Sequence, residues 1–194
     1  MPTPKQTALI LTIIAGSFAS WSAQADGTQA DDTTAALVKR GAYLVNFSGC
    51  ADCHTPTRMG QNGPEKDMAL GLSGHPQALH MPSPPPLNGD WNWVGSASLT
   101  AFSGPWGQTY ASNLTPDRET GIGNWSAQNF IAAMKNGKHM GVGRPILPPM
   151  PWQGLSHLSE KDLHAIYEYL MAQPPVRNRV PEYVPPARTT EKSM

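Results

Sequence analysis

The sequence predicts an all-α fold, and three observations carry that expectation. Three stretches repeat apolar residues at helical spacing, the first of them leads into a short cysteine and histidine run, and the long interval between first and second holds no sustained helical period. From Ala35 to Phe47, apolar Leu37, Val38, Ala42, Tyr43, Leu44, Val45 and Phe47 recur with Lys39 and Arg40 between them. Gly41 sits mid-helix, where glycine costs stability relative to alanine, and a close helix crossing explains its presence. Ser126 is a good N-cap for a second helix running through Phe130, Ile131 and Met134 to a stop at Gly137. Ser159, with Asp162 at the capping-box position, opens a third, whose apolar face carries Leu163, Ile166, Tyr167 and Leu170 and which Pro174 and Pro175 end. Phe130, Met134 and Ile166 read as ordinary core. The interval, an insertion at about 58–112, carries Gly60, Gly63, Gly71, Gly74, the run Ser83 to Pro86, and Trp91, Trp93 and Trp106. It is expected to be a long, irregular loop rich in Pro, Gly and Trp. Its aromatics argue for order, because disordered segments are poor in them. A loop of this length is functional or pinned to something large.

Cys50-Ala51-Asp52-Cys53-His54 is a C-x-x-C-H run holding both cysteines of the 194-residue chain. Two thiols three positions apart can each add to one vinyl group of a porphyrin, and the following imidazole then meets the iron. The expectation is one covalent haem c, with Cys50 and Cys53 as thioethers and His54 as the proximal ligand. A zinc ribbon needs a second ligand pair, and a third cysteine is missing. A thioredoxin-like pair wants a βαβ context, which the helical Ala35 to Phe47 does not provide. A structural disulfide leaves His54 unexplained.

The second iron ligand is sought among nine methionines, of which most are core filler. Met150 is the candidate. It lies in Leu147-Pro148-Pro149-Met150-Pro151-Trp152, where three prolines remove backbone freedom and hold one thioether without a helix behind it. Met140, in a glycine-rich turn beside His139, is the rival, and His139 could itself ligate. Met134 and Met171 fall on helices and read as structural.

Met1 to Ala25 has the parts of a secretory signal: Lys5 in a basic start, an apolar stretch from Ala8 to Ala19, and Ala23-Gln24-Ala25 as a small-residue cleavage site. Cleavage after Ala25 leaves 26–194 as one monohaem domain, with an uncleaved anchor as the alternative. The location expected is the periplasm. Formal charge is balanced, 14 basic against 14 acidic residues, which argues against nucleic acid as partner. Charged residues make up only 14% while Pro numbers 20 and Gly 18, so much of the chain is proline-stiffened loop.

The pattern Arg40 to Leu44, Gly49 to Thr55, Tyr110 to Asp117, Thr120 to Gly123 with Trp125, and Pro148 to Trp152 with a closing helix resembles a class I cytochrome c. More narrowly, it is similar to a single haem domain of the cytochrome c subunits serving membrane-bound bacterial alcohol dehydrogenases. The likeness covers about Ala35 to Val176. It implies that the first and last helices cross near Gly41 and Tyr167, that His54 and Met150 ligate the iron, and that Asn113, Leu114, Trp125 and Trp152 bind the cofactor. Related chains often carry proline where Ser112 stands, its carbonyl accepting a hydrogen bond from the axial histidine, and Ser112 still offers a carbonyl. Those subunits commonly carry several haem domains and a membrane-binding tail, whereas one haem site is present here.

Histidine and methionine ligation fills both axial positions and favours a high potential, so the expected function is single-electron transfer rather than catalysis. Redox proteins, a dehydrogenase donor or a terminal oxidase acceptor, are the expected partners, and no integral membrane span is expected in the mature chain. Lys135, Lys138 and Arg144, with no acid between Ser126 and Met150, would steer an acidic partner face. Two alternatives stand: an accessory haem subunit of a dehydrogenase or oxidase complex, and a peroxidase-like enzyme with a labile distal ligand, toward which His139 or His157 would act.

Overall fold

The computed structural model describes residues 33–88 and 90–186. The candidate signal at 1–25 lies outside the described residues.

Helix α1 (Thr34–Phe47) begins where the Thr33 side chain accepts from Ala36 N. Helix α3 (Ala127–Asn136) is opened by a full capping box between Ser126 and Asn129 and closed by Gly137 in the left-handed conformation. Helix α5 (Glu160–Met171) has only half of its box. The Ser159 side chain accepts from Asp162 N, and the Asp162 carboxylate accepts from Arg40 Nε at 2.9 Å, tying α5 to α1. Two one-turn helices complete the set, α2 (Cys50–His54) and α4 (Trp152–Leu155).

Helices α1 and α5 cross at Gly41, where any Cβ would run into the Ala165 carbonyl and the Tyr169 side chain. Glycine's cost inside α1 is therefore offset by the close approach it permits. Leu163, Ile166 and Leu170 are almost wholly buried with Leu44, Val45, Phe130 and Met134 in one core. Each such side chain contributes about 1.5–3 kcal/mol of burial. Tyr167 spans the core edge, its ring 6.0 Å from Phe130 and its hydroxyl donating to Trp125 O at 2.8 Å.

The all-α expectation fails between α2 and α3. That interval is only partly irregular: it forms two antiparallel sheets, β1 (Thr57–Gly60) with β2 (Gly63–Lys66), and β3 (Val94–Gly95), β4 (Ala101–Gly104) and β5 (Gly107–Tyr110) in that order, while the described residues between Gly71 and Trp93 carry neither helix nor strand. The β1–β2 and β4–β5 hairpins each turn over two residues between paired glycines, Gly60 opposite Gly63 and Gly104 opposite Gly107. Gly63 and Gly107 take φ of 114° and 101°, which other residues rarely adopt. Buried and half-buried positions alternate along β5, which is the period of a strand. Among the described residues, no helix is long and apolar enough to cross a membrane.

Candidate functional site

The site starts at Gly49, whose φ of 68° ends α1 and lets a new helix begin at Cys50. One turn later comes His54, 8% exposed, with Nδ1 2.7 Å from the Ser112 carbonyl oxygen. A carbonyl can only accept, so Nδ1 is the donor and Nε2 keeps its lone pair for a ligand. Burial pushes the His54 pKa down, and the Ser112 bond opposes this in part. The ring is thus held neutral in the tautomer that a metal requires.

Burial also raises the pKa of both thiols, while for Cys53 the Lys66 ammonium pulls the other way. Both cysteines are free, and the Cys50 sulfur lies 3.5 Å from Ser48 Oγ. Among the described residues no three His, Cys, Asp or Glu side chains converge, so the donor set of a closed zinc site is not assembled.

Cys53 and His54 line a cavity of about 340 Å³ that Met150 also lines. Leu114, Ile122, Trp125, Phe130 and Met134 give it apolar walls. The loop carrying Met150 is fixed at two points: Thr109 Oγ1 on β5 donates to Pro148 O at 2.9 Å, and Ile146 N donates to Gly137 O at 2.8 Å. A largely apolar pocket with the His54 imidazole, the Met150 thioether and the Cys53 thiol at its wall, and with His139 and Met134 also lining it, fits a flat apolar iron macrocycle attached through sulfur.

The other expected residues divide. Leu114 and Trp125 line the cavity, and so does Asn113, whose side-chain polar atoms are taken up by Thr115, Thr120, Val176 and Asn178. Trp152 does not reach the wall; its ring lies against Gly137, where a Cβ would strike it. Met140 is absent from the lining, whereas His139 contributes to it, edge-on to Trp125 at 4.8 Å. Of the three steering cations, Lys135 is committed inward, donating to Ser156 O at 2.8 Å and Leu158 O at 2.6 Å. Arg144 borders the cavity.

Sequence reading missed two walls. Phe102, Thr109, Tyr110 and Ala111, on or just beyond the hairpin of β4 and β5, form one. Arg179 to Tyr183 form the other, beyond the end of α5. That segment is held by Asn178, which donates to Ser73 O at 2.7 Å and His75 O at 2.9 Å, and by paired backbone bonds between Gln108 and Val184. The glycine pairs flanking each hairpin were the available signal for the first wall, and the buried Asn178 left none for the second.

A helical core presenting C-x-x-C-H beside an apolar cavity that Met134 and Met150 both line is the kind of site a haem domain has, and comparison with known proteins agrees with that class. No protein-family model matches the chain. It is 33% identical over 148 residues to a subunit of the nicotinate dehydrogenase of Pseudomonas putida, covering 76% of this chain and 10% of that protein. It is 30% identical to the cytochrome c subunit of the quinone alcohol dehydrogenase of Gluconobacter oxydans, covering 73% of this chain and 22% of that one. With the gluconate 2-dehydrogenase cytochrome c subunit of Pantoea cypripedii it shares 31% identity over 84% of its length and 28% of the relative's. The chain is related to cytochrome c subunits of bacterial dehydrogenases. It spans between a tenth and somewhat over a quarter of the length of these curated relatives.

Proposed function

We propose that this chain is an exported, haem-bearing electron-transfer protein that passes single electrons between redox proteins, a dehydrogenase as donor among them. The observation that carries the reading is the His54 to Ser112 bond beside a cavity that Cys53 and Met150 share. Cys50 and Cys53 would hold one haem c as thioethers, His54 Nε2 and the Met150 sulfur would be the ligands offered to its iron, and Leu114 and Trp125 would pack on it. When bound, such a group supplies a one-electron couple, with axial ligands, burial and hydrogen bonds as the protein's levers on its potential. Ser112 O fixes the imidazole, the proline loop limits motion of the thioether, and the apolar walls exclude water.

The relatives named as cytochrome c subunits of dehydrogenases support a place in, or beside, such a complex. The periplasm fits this role, with 1–25 as a cleaved signal and 26–194 as a single monohaem domain. The test is denaturing electrophoresis with a haem-peroxidase stain on protein exported from a cytochrome-maturing host. A stained band near the mature size is expected, and its loss in Cys50→Ala, Cys53→Ala. Haem that organic acid extracts from the unaltered protein would refute the thioether assignment.

A further inference from the structure

The hairpin of β1 and β2 meets the end of α2 through one side chain. Lys66, half-buried at the end of β2, donates its Nζ to Asp52 O at 2.6 Å and to Thr55 O at 3.2 Å. A one-turn helix has almost no internal partners for its last carbonyls, which carry partial negative charge. Two further groups are met from the same stretch of chain: His54 O accepts from Gly74 N at 2.8 Å, and Thr55 Oγ1 accepts from Leu72 N at 3.0 Å. The end of the helix that bears Cys53 and His54 is therefore clamped by residues 66–74, and Lys66 supplies the charge. That charge sits beside the attachment point, since Asp52 and Thr55 flank Cys53 and His54 in the chain. The neighbouring acids are engaged elsewhere: Glu65 pairs with Arg58 at 2.6 Å, and Asp67 Oδ1 accepts from Ala69 N at 3.2 Å. Asp52 is exposed on α2 and offsets part of the Lys66 field.

We infer that Lys66 is a positioning residue for the iron-ligating turn and a fixed positive charge that raises the reduction potential of the group bound there. The inference rests on the haem reading above. Reduction removes one positive charge from the iron centre, so a nearby ammonium disfavours the oxidised state more than the reduced one. No bond to the iron is involved, and the effect is electrostatic at a distance, weakened by solvent.

The test is a redox titration of purified, haem-loaded protein for the parent, Lys66→Met, Lys66→Arg and Lys66→Glu, at low and high salt. Lys66→Met is expected to lower the equilibrium constant for reduction about threefold to tenfold, the latter being about 59 mV for one electron. Lys66→Glu should lower it further, Lys66→Arg should stay near the parent, and the spread should narrow with salt. Hydrogen exchange at the Thr55 and Gly74 amides should quicken in Lys66→Met and not in Lys66→Arg. If Lys66→Met fails to retain covalent haem while Lys66→Arg retains it, the positioning role is supported, and Lys66→Arg against Lys66→Glu still reads the charge. One shared potential for the parent, Lys66→Arg and Lys66→Glu at low salt would overturn the inference. A parent without covalent haem would fail the underlying reading before any titration.

Discussion

At the residue scale, the proximal side depends on a backbone atom. His54 is oriented by the Ser112 carbonyl, so the side chain at 112 is free to change. Ser112→Ala is expected to leave the haem spectrum and the melting temperature as they are. Gly74→Ala should not, although residue 74 never touches the ring. A Cβ there, at φ 79°, would press on the Ala111 and Ser112 carbonyls and displace the acceptor. A loss of about 1–3 kcal/mol in chemical denaturation is expected, with an altered histidine environment by paramagnetic resonance. Wild-type behaviour of Gly74→Ala in both would mean that Ser112 O does not position His54. Asp162 gives a pH dependence with a definite sign. Its hydrogen bond from Arg40 lowers its pKa below the unfolded value near 3.8, so the stability it contributes is intact above that value. It is lost as pH falls through the lower, folded pKa. Asp162→Asn should remove that acid-side component and lower the melting temperature near pH 7 by a small amount, because the Arg40 side chain is about half exposed and such pairs contribute little. Acid melts that superimpose for the two proteins would refute the linkage.

At the element scale, the crossing of α1 and α5 is the frame on which the site hangs. Gly41→Leu would thrust a side chain into the Ala165 carbonyl and Tyr169, and is expected to cost about 3 kcal/mol or more, read from urea denaturation. A variant as stable as the parent would mean that the helices are not packed at Gly41. The three long helices were legible because each announces itself locally: all three by a period of 3.6, and the second and third also by a cap at Ser126 or Ser159 and a glycine or proline stop. The C-x-x-C-H run stands out in the sequence because its spacing suits one particular chemistry, and the structure sets His54 and Cys53 at one cavity. The sheets were not. Their strands are two to four residues long, too short for a period-2 pattern to rise above the surrounding Gly and Pro, and the helical resemblance on both flanks favoured an all-α reading. Yet Gly60-Gln61-Asn62-Gly63 and Gly104-Pro105-Trp106-Gly107 share one layout, a glycine on each side of a two-residue turn, and that was a usable hairpin signal. Trp152, expected beside the cofactor, lies away from the cavity lining for the converse reason. It is adjacent to the methionine loop in sequence, but α4 turns its ring toward Gly137.

At the scale of the molecule, the cavity is assembled from stretches far apart in the chain: the C-x-x-C-H turn, the β4 and β5 hairpin, the loop before α3, the methionine loop, and the segment after α5. The last was beyond reach of sequence reasoning, since a proline-rich tail has no period and the side chain of its anchor, Asn178, bonds Ser73, His75 and Gln77, all about a hundred residues away. Asn178→Leu should leave the Ser73 and His75 carbonyls without their donors and cost about 2–3 kcal/mol in stability. The bound haem should also become more accessible to small reductants, measured by dithionite or ascorbate reduction rates. Unchanged stability and rates would show that the tail does not seal the cavity. The central claim, a covalent haem closed on both sides by His54 and Met150, is met most directly by optical spectra of the purified protein in both redox states, with and without carbon monoxide. The account predicts a weak long-wavelength methionine-to-iron band in the oxidised parent, almost no carbon monoxide binding in the reduced parent, and loss of the band with gain of binding in Met150→Ala. Ready carbon monoxide binding by the parent would contradict it, leaving an open iron and a catalytic haem; a band that survives Met150→Ala and disappears in Met140→Ala would contradict the choice of ligand.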